Sequence, residues 1–186
     1  AINGGERGVK TPLPPMFPGG MRIGVEEEQA VLNVLRSKRL FRYYGPVSGL
    51  SQTDLFEQEF AAHMGTAYAL AVSSGTAALM CAMAGLGIGP GDEVIVPAYT
   101  WIATASAAVA LGAVPVIAEI DESLTIDPAD VERKITPGTR AIVAVHMRGS
   151  PCRLDLLTDV ARRYGVALIE DTAQATGASF HDRRLG

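Results

Sequence analysis

Cysteine is scarce in this 186-residue chain: Cys81 and Cys152 lie far apart and form no C-x-x-C pair. That excludes a disulfide framework and fits a reducing compartment, so a cytoplasmic protein is expected. Histidine is equally sparse. His63, His146 and His181 are scattered, and no metal-ligand spacing appears. No apolar run reaches about 18 residues, the length that spans a bilayer. The first residues, Ala1–Arg7, lack the apolar centre of a secretion signal. Basic charge is short as well. The net charge is −4, and the one dense basic cluster is Arg183-Arg184 with His181, so no nucleic-acid partner is expected. G-x-x-x-x-G-K-[ST] is missing, which removes the phosphate-loop nucleoside triphosphatases. No internal repeat occurs. What the chain does have is 48% hydrophobic and 19% charged residues, enough for one domain with a real core.

Residues 1–21 read as an extended arm, rich in Gly and Pro (Pro12, Pro14, Pro15, Pro18). Such an arm either lies across a partner subunit or frays. A helix is predicted over 25–38, with Glu26-Glu27-Glu28 at its positive end and Arg36, Lys38 and Arg39 at the other. Phe41-Arg42-Tyr43-Tyr44-Gly45-Pro46 then breaks it. Arg42, Tyr43 and Tyr44 are candidates for contacting a substrate, or for a loop packed on its own aromatics. A second helix is predicted over 53–64, capped by Thr53 or Asp54 and ended by Gly65. From residue 67 the pattern becomes regular. Strands are predicted at 68–72, 93–96, 114–120, 141–145 and 166–169. Helices are predicted at 76–86, 101–111, 128–135 and 154–164. Alternation of this kind means βαβ crossovers and a mostly parallel sheet. Ala178-Ser179-Phe180 reads as a further strand, with His181–Arg184 as its turn. The pattern stops there, as expected of the front part of a longer chain.

Ligands of an open α/β sheet bind outside the carboxyl ends of its strands. Three stretches fall at such ends. Ser73-Ser74-Gly75-Thr76 joins a strand to a helix. The free N–H groups and positive dipole of a helix start suit a phosphate, although an ordinary N-cap turn reads the same. Pro97-Ala98-Tyr99-Thr100-Trp101 carries the only tryptophan, able to stack on a flat ring or to serve the core. Ala167-Leu168-Ile169-Glu170-Asp171-Thr172-Ala173-Gln174 ends a strand in two carboxylates. An unpartnered buried carboxylate is costly, so Asp171 needs a cation: magnesium, or a protonated pyridine nitrogen. Gln174, one helical turn on, is placed to bond a phenolic oxygen. His146 also follows a strand and reads as a satisfied structural histidine. The glycines of Gly85-Leu86-Gly87-Ile88-Gly89-Pro90-Gly91 follow a helix and precede a strand. They mark a turn, not a dinucleotide fingerprint.

Taken in order, SSGTAAL at 73–79, LGIGPGDEVIVPAYTWIATA at 86–105, ITPGTRAIVAVHMRG at 135–149 and VALIEDTAQATGA at 166–178 resemble the DegT/StrS-type sugar aminotransferases. The likeness runs from about Arg22 to Gly186. It implies fold type I of the pyridoxal-phosphate enzymes, a three-layer α/β large domain with a mostly parallel central sheet, here without its C-terminal part. It implies pyridoxal 5'-phosphate as cofactor. Ser74, Gly75 and Thr76 would hold the phosphate, Trp101 would stack on the ring, Asp171 would meet the ring nitrogen and Gln174 the phenolic oxygen. Arg42, Tyr43 and Tyr44 would begin the substrate pocket of a homodimer. The family's Schiff-base lysine follows the strand that begins near Ala178, beyond Gly186. Lys10, Lys38 and Lys134, the only lysines, are all misplaced for it. The implied reaction carries an amino group from glutamate or glutamine to a keto-sugar nucleotide or a keto-cyclitol, as in amino-sugar and antibiotic biosynthesis. Two alternatives stand beside it. One is a sugar dehydratase of the same family, with His in place of Lys. The other is a non-catalytic nucleotide-binding or interaction domain.

Overall fold

The computed structural model describes Gly4, Glu6, Thr11 and residues 23–42 and 49–186. The chain divides into two compact units, Ala1–Leu55 and Phe56–Gly186. The expected arm over 1–21 lies outside the described residues apart from those three positions.

In the first unit, α1 spans Val25–Ser37. Glu27 reaches back to accept the Gly24 amide at 2.7 Å, closing the first turn, and Glu26–Glu28 crowd the positive end of the dipole. Lys38, at φ 56°, turns left-handed and stops the helix. Helix α2 (Gln52–Met64), which begins in the first unit and runs on into the second, starts one residue earlier than its sequence suggests. Its cap is neither Thr53 nor Asp54 but Ser51. The Asp54 amide donates to Ser51 Oγ (3.1 Å), while the Ser51 amide donates to Asp54 Oδ2 (2.9 Å). The reciprocal bond needs the acid three residues inside the cap, and that decides which polar residue takes the cap.

The second unit carries α3 (Gly75–Gly85), β1 (Glu93–Pro97), α4 (Ile102–Ala110), β2 (Val114–Ala118), α5 (Pro128–Lys134), β3 (Thr139–Val145), α6 (Leu154–Tyr164) and β4 (Ala167–Asp171). The four strands form one parallel sheet in the order β2-β1-β3-β4. Alternate residues of each strand point to opposite faces. Val94, Val96, Ala141, Val143 and Val145 pack with Leu79 and Met83 of α3 and Ala107 and Ala108 of α4. Ile95, Ala118, Ile142 and Ala144 pack with Val131 of α5 and Leu157, Val160 and Ala161 of α6. The result is three layers, helix on sheet on helix. The near-continuous valine, isoleucine and alanine of β1 and β3 is what burial on both faces demands.

Two predicted elements differ. Tyr68–Val72 carries no strand, and Tyr68 and Leu70 are 90% and 64% exposed. Sequence supplies strand propensity, but a strand exists only as half of a ladder. No described residue pairs with this one; its Ala71 amide donates instead to Glu57 Oε1 at 2.7 Å. At the other end, Ser179–Phe180 (β5) pairs antiparallel with Arg183–Arg184 (β6). The turn is therefore only His181-Asp182, both at positive φ, and the arginines belong to the return strand.

Candidate active site at the carboxyl edge of the sheet

All four strands being parallel, their carboxyl ends share one edge: Pro97, Ala118, Val145 and Asp171. Helix α3 delivers its C-terminus through a turn to the start of β1, so its N-terminus lies at the carboxyl edge. Gly87 and Gly91 of that turn sit at φ +76° and +90°, as a helix stop requires. Helix α4 leaves β1 directly at the same edge. Both cover one face of the sheet. Two helix starts therefore converge on one side of one edge.

At the first, Ser74 is the N-cap of α3 and its Oγ accepts the Ala77 amide at 3.1 Å. The Ser74 carbonyl takes the Ala78 amide at 3.0 Å. Helix geometry leaves the amides of Gly75 and Thr76 with no intrahelical acceptor. Ser74, Gly75 and Thr76 are all exposed, and a Cβ placed on Gly75 would meet nothing within 4 Å. A helix start left open in this way has the free amides and the room that an anion needs. At the second, Trp101 is the N-cap of α4, a position its side chain cannot serve by capping. The indole is 70% exposed. It is not a core residue, and a lone exposed tryptophan beside an anion cradle suits a planar ligand.

Asp171 ends β4 opposite Val145. Paired residues of a parallel ladder point the same way, and Val145 belongs to the layer under α3 and α4. The Asp171 carboxylate therefore shares a face with both helix starts. It is half-buried, and its Oδ1 accepts the Ala173 amide at 3.0 Å, which orients it and leaves the second oxygen for a cation. Gln174 lies in a turn, not one helical turn on, because Asp171 draws the chain back on itself at Ala173. It is fixed from another direction. The Arg148 amide donates to Gln174 Oε1 at 2.6 Å. An amide N–H can only donate, so this contact assigns the oxygen and leaves the Gln174 NH2 as the free donor. Arg148 itself adopts φ 53°, ψ 23° in the tight turn Met147–Gly149, and its Nε donates to the Tyr99 hydroxyl at 3.1 Å.

His146, Glu170 and Cys152 occupy the opposite face. His146 is fully buried. Its Nδ1 accepts the Cys152 amide at 3.0 Å, so the ring proton sits on Nε2, facing Glu170 Oε2 at 3.2 Å. That hydrogen bond, joined by the Gly186 amide, holds the Glu170 carboxyl below the usual range despite partial burial. Burial pushes the Cys152 thiol up to about 11, and it donates to the Val145 carbonyl. These are satisfied groups that brace the strand ends, which is the structural role read for His146. Glu170 and Asp171 are thus divided by the pleat: one carboxylate is tied inside, the other turns to the edge.

Arg42 belongs to the first unit, where its guanidinium stands 3.1 Å from Asp54. Tyr43 and Tyr44 lie outside the described residues. Sequence reasoning misses Arg148 and passes over Tyr99. The motif HMRG gives one usable signal, a basic residue just past a strand end.

The DegT/DnrJ/EryC1/StrS aminotransferase family model matches residues 21–186. The chain is similar to the L-glutamine:2-deoxy-scyllo-inosose aminotransferase of Streptoalloteichus tenebrarius, 44% identical over 188 residues, covering 100% of this chain and 43% of the relative. It is similar also to the dTDP-3-amino-3,4,6-trideoxy-alpha-D-glucose transaminase of Streptomyces venezuelae, 47% identical over 165 residues, 88% of this chain and 42% of that one. Among solved structures, NtdA from Bacillus subtilis with bound cofactor PMP superposes at a TM-score of 0.72 with 35% identity, covering 84% of this chain and 36% of that chain. The chain thus spans less than half the length of the curated relatives it matches.

Proposed function

Because the chain belongs to the DegT/DnrJ/EryC1/StrS aminotransferase family, we propose that it forms the cofactor-binding part of a pyridoxal-phosphate aminotransferase. The donor is an amino acid, glutamine or glutamate. The acceptor is a keto-cyclitol or a nucleotide-linked keto-sugar. One observation carries this reading: a strand-end carboxylate, an exposed indole and an open helix start share one face of one sheet edge.

The residues present fit the cofactor. The Gly75 and Thr76 amides and the Ser74 hydroxyl would hold its phosphate, where nothing crowds the glycine. Trp101 would fix the plane of the ring. Asp171 would keep a proton on the ring nitrogen. The Gln174 NH2, freed by the Arg148 contact, would donate to the phenolic oxygen. When bound, the cofactor supplies an electron sink able to take up and release an amino group. Asp171 sustains that sink, and Trp101 excludes water from one side. Arg42, Tyr43 and Tyr44 are assigned to the substrate, and a cytoplasmic homodimer is the assembly we infer. The family's lysine is none of Lys10, Lys38 or Lys134, so transfer needs the full-length chain. Amino transfer is preferred to dehydration because both curated relatives are named for it. Family membership speaks against a non-catalytic domain.

The test is the full-length protein with pyridoxal phosphate, followed by calorimetry, visible absorption and glutamine-dependent amino transfer. Asp171→Asn keeps the shape but removes the charge. It should cost at least about 100-fold in transfer, since a charged hydrogen bond of about 1.5–3 kcal/mol is lost along with the ring proton. A wild-type protein that takes up no cofactor, or an Asp171→Asn variant as active as wild type, would sink the reading.

A further inference from the structure

Arg148 stands just past the carboxyl end of β3, in the tight turn Met147–Gly149. It holds a left-handed backbone, which glycine adopts freely and which strains a side-chain-bearing residue. Its backbone bond to Gln174 needs no arginine, since any residue but proline offers that amide. What the arginine adds is its guanidinium. Nε is anchored on the Tyr99 hydroxyl, and that contact strengthens its hold on the proton. Tyr99 packs on the apolar layer beneath α3 and α4, as does Met147, so the guanidinium is drawn to the site's own face.

The nearest acids in sequence and register do not neutralise it. Glu170 points to the other face and is engaged by His146 and Gly186. Asp171 makes no ion pair with it: one oxygen takes the Ala173 amide and the other is assigned above to the cofactor. With Nε taken, the two terminal nitrogens form an exposed edge. That edge is a planar fork that fits a carboxylate. The residue is tied through its backbone amide to Gln174 and through Nε to Tyr99, two residues before Trp101. A keto-cyclitol acceptor carries no charge and a nucleotide-linked keto-sugar carries its charge on phosphates, whereas every amino-acid donor carries an α-carboxylate.

Resting on the aminotransferase reading above, we propose that Arg148 recognises the carboxylate of the amino-acid donor, with Tyr99 aiming the fork. Tyr99 is then a positioning residue and Arg148 a specificity residue.

Arg148→Gly in the full-length enzyme is the informative variant. It keeps the amide that holds Gln174, relieves the strained backbone and deletes the guanidinium together with its bond to Tyr99. The two half-reactions are measured separately, with glutamine as donor and the keto acceptor in the return step. A glutamine analogue with its α-carboxylate converted to carboxamide is run beside glutamine. We expect the donor half-reaction to lose about 10- to 100-fold in kcat/KM, mostly through KM, with the acceptor half-reaction unchanged. Wild type should prefer glutamine to the carboxamide by a similar factor, and Arg148→Gly should lose that preference. Tyr99→Phe should show a smaller loss on the same half. Equal discrimination by both proteins overturns the proposal. So does a loss confined to the acceptor half, which would point to acceptor phosphates. Calorimetric titration with glutarate reads the fork without turnover. Binding lost in Arg148→Gly supports it even if no amino transfer is seen, the result that would instead sink the aminotransferase reading. Glutarate binding equal in the two proteins counts against the fork.

Discussion

Single residues at the strand ends divide their labour by parity. Glu170 and Asp171 are neighbours in sequence, yet the pleat sends one inward to His146 and the other to the edge. The inner pair has a pH signature. Glu170 has its carboxyl held below its ordinary value of 4.5, chiefly by His146. A depressed carboxylate contributes stability that is fully present above the unfolded value and is lost as pH falls through the lower native one. Glu170→Gln should therefore destabilise the full chain by on the order of 1 kcal/mol at neutral pH, discounted for its partial exposure. The deficit should shrink as pH falls below 4.5, since wild type loses the same interaction as Glu170 takes up a proton. Thermal midpoints of both proteins across that range check it. A deficit that stays constant would assign the role to packing instead. His146 can be read as structural from sequence alone, because a lone histidine after a buried strand has few other uses. Arg148 cannot. A positive φ on a non-glycine residue is imposed by the turn and its Gln174 contact, and no local pattern announces it.

At the scale of elements, the start of α3 is the feature to test, because its two properties separate cleanly. The Ser74 cap stabilises the helix, and the bare Cα of Gly75 leaves room. Gly75→Ala adds a methyl where nothing lies within 4 Å and swaps in a better helix former. Thermal stability should hold or rise slightly. Pyridoxal-phosphate affinity should fall by about tenfold, as the methyl enters the space of the phosphate. Unchanged affinity would mean the anion sits elsewhere. The boundaries of α3, β1, α4 and α6 are readable because their apolar periods, glycine stops and parallel alternation are local. The start of α2 differs by one residue, since Ser51 and Asp54 select each other only once the helix exists. Tyr68–Val72 misleads for the converse reason. Its composition satisfies a strand, but pairing is a property of two segments.

For the whole molecule, that unpaired segment has a physical consequence. Tyr68 and Leu70 stand exposed, and an apolar cleft of about 260 Å³ is lined by Phe56, Phe60, Met64, Tyr68 and Leu70 among others. Backbone outside any ladder beside exposed apolar surface favours self-association. The 186-residue chain made by itself should sediment as concentration-dependent oligomers. A monomer that melts cooperatively would show that the second unit is self-sufficient. The sequence by itself determined the layered α/β alternation, the helix start at Ser74-Gly75 and the placing of Asp171 at a strand end. Each follows from short-range periodicity or from the rule that parallel strands end together. Only the tertiary structure decided that Asp171, not Glu170, faces the helix starts, that Trp101 is open to solvent, and that Arg148 orients Gln174. Those depend on which layer each strand residue meets and on contacts between segments 26 and 49 residues apart, separations over which local propensity carries no information.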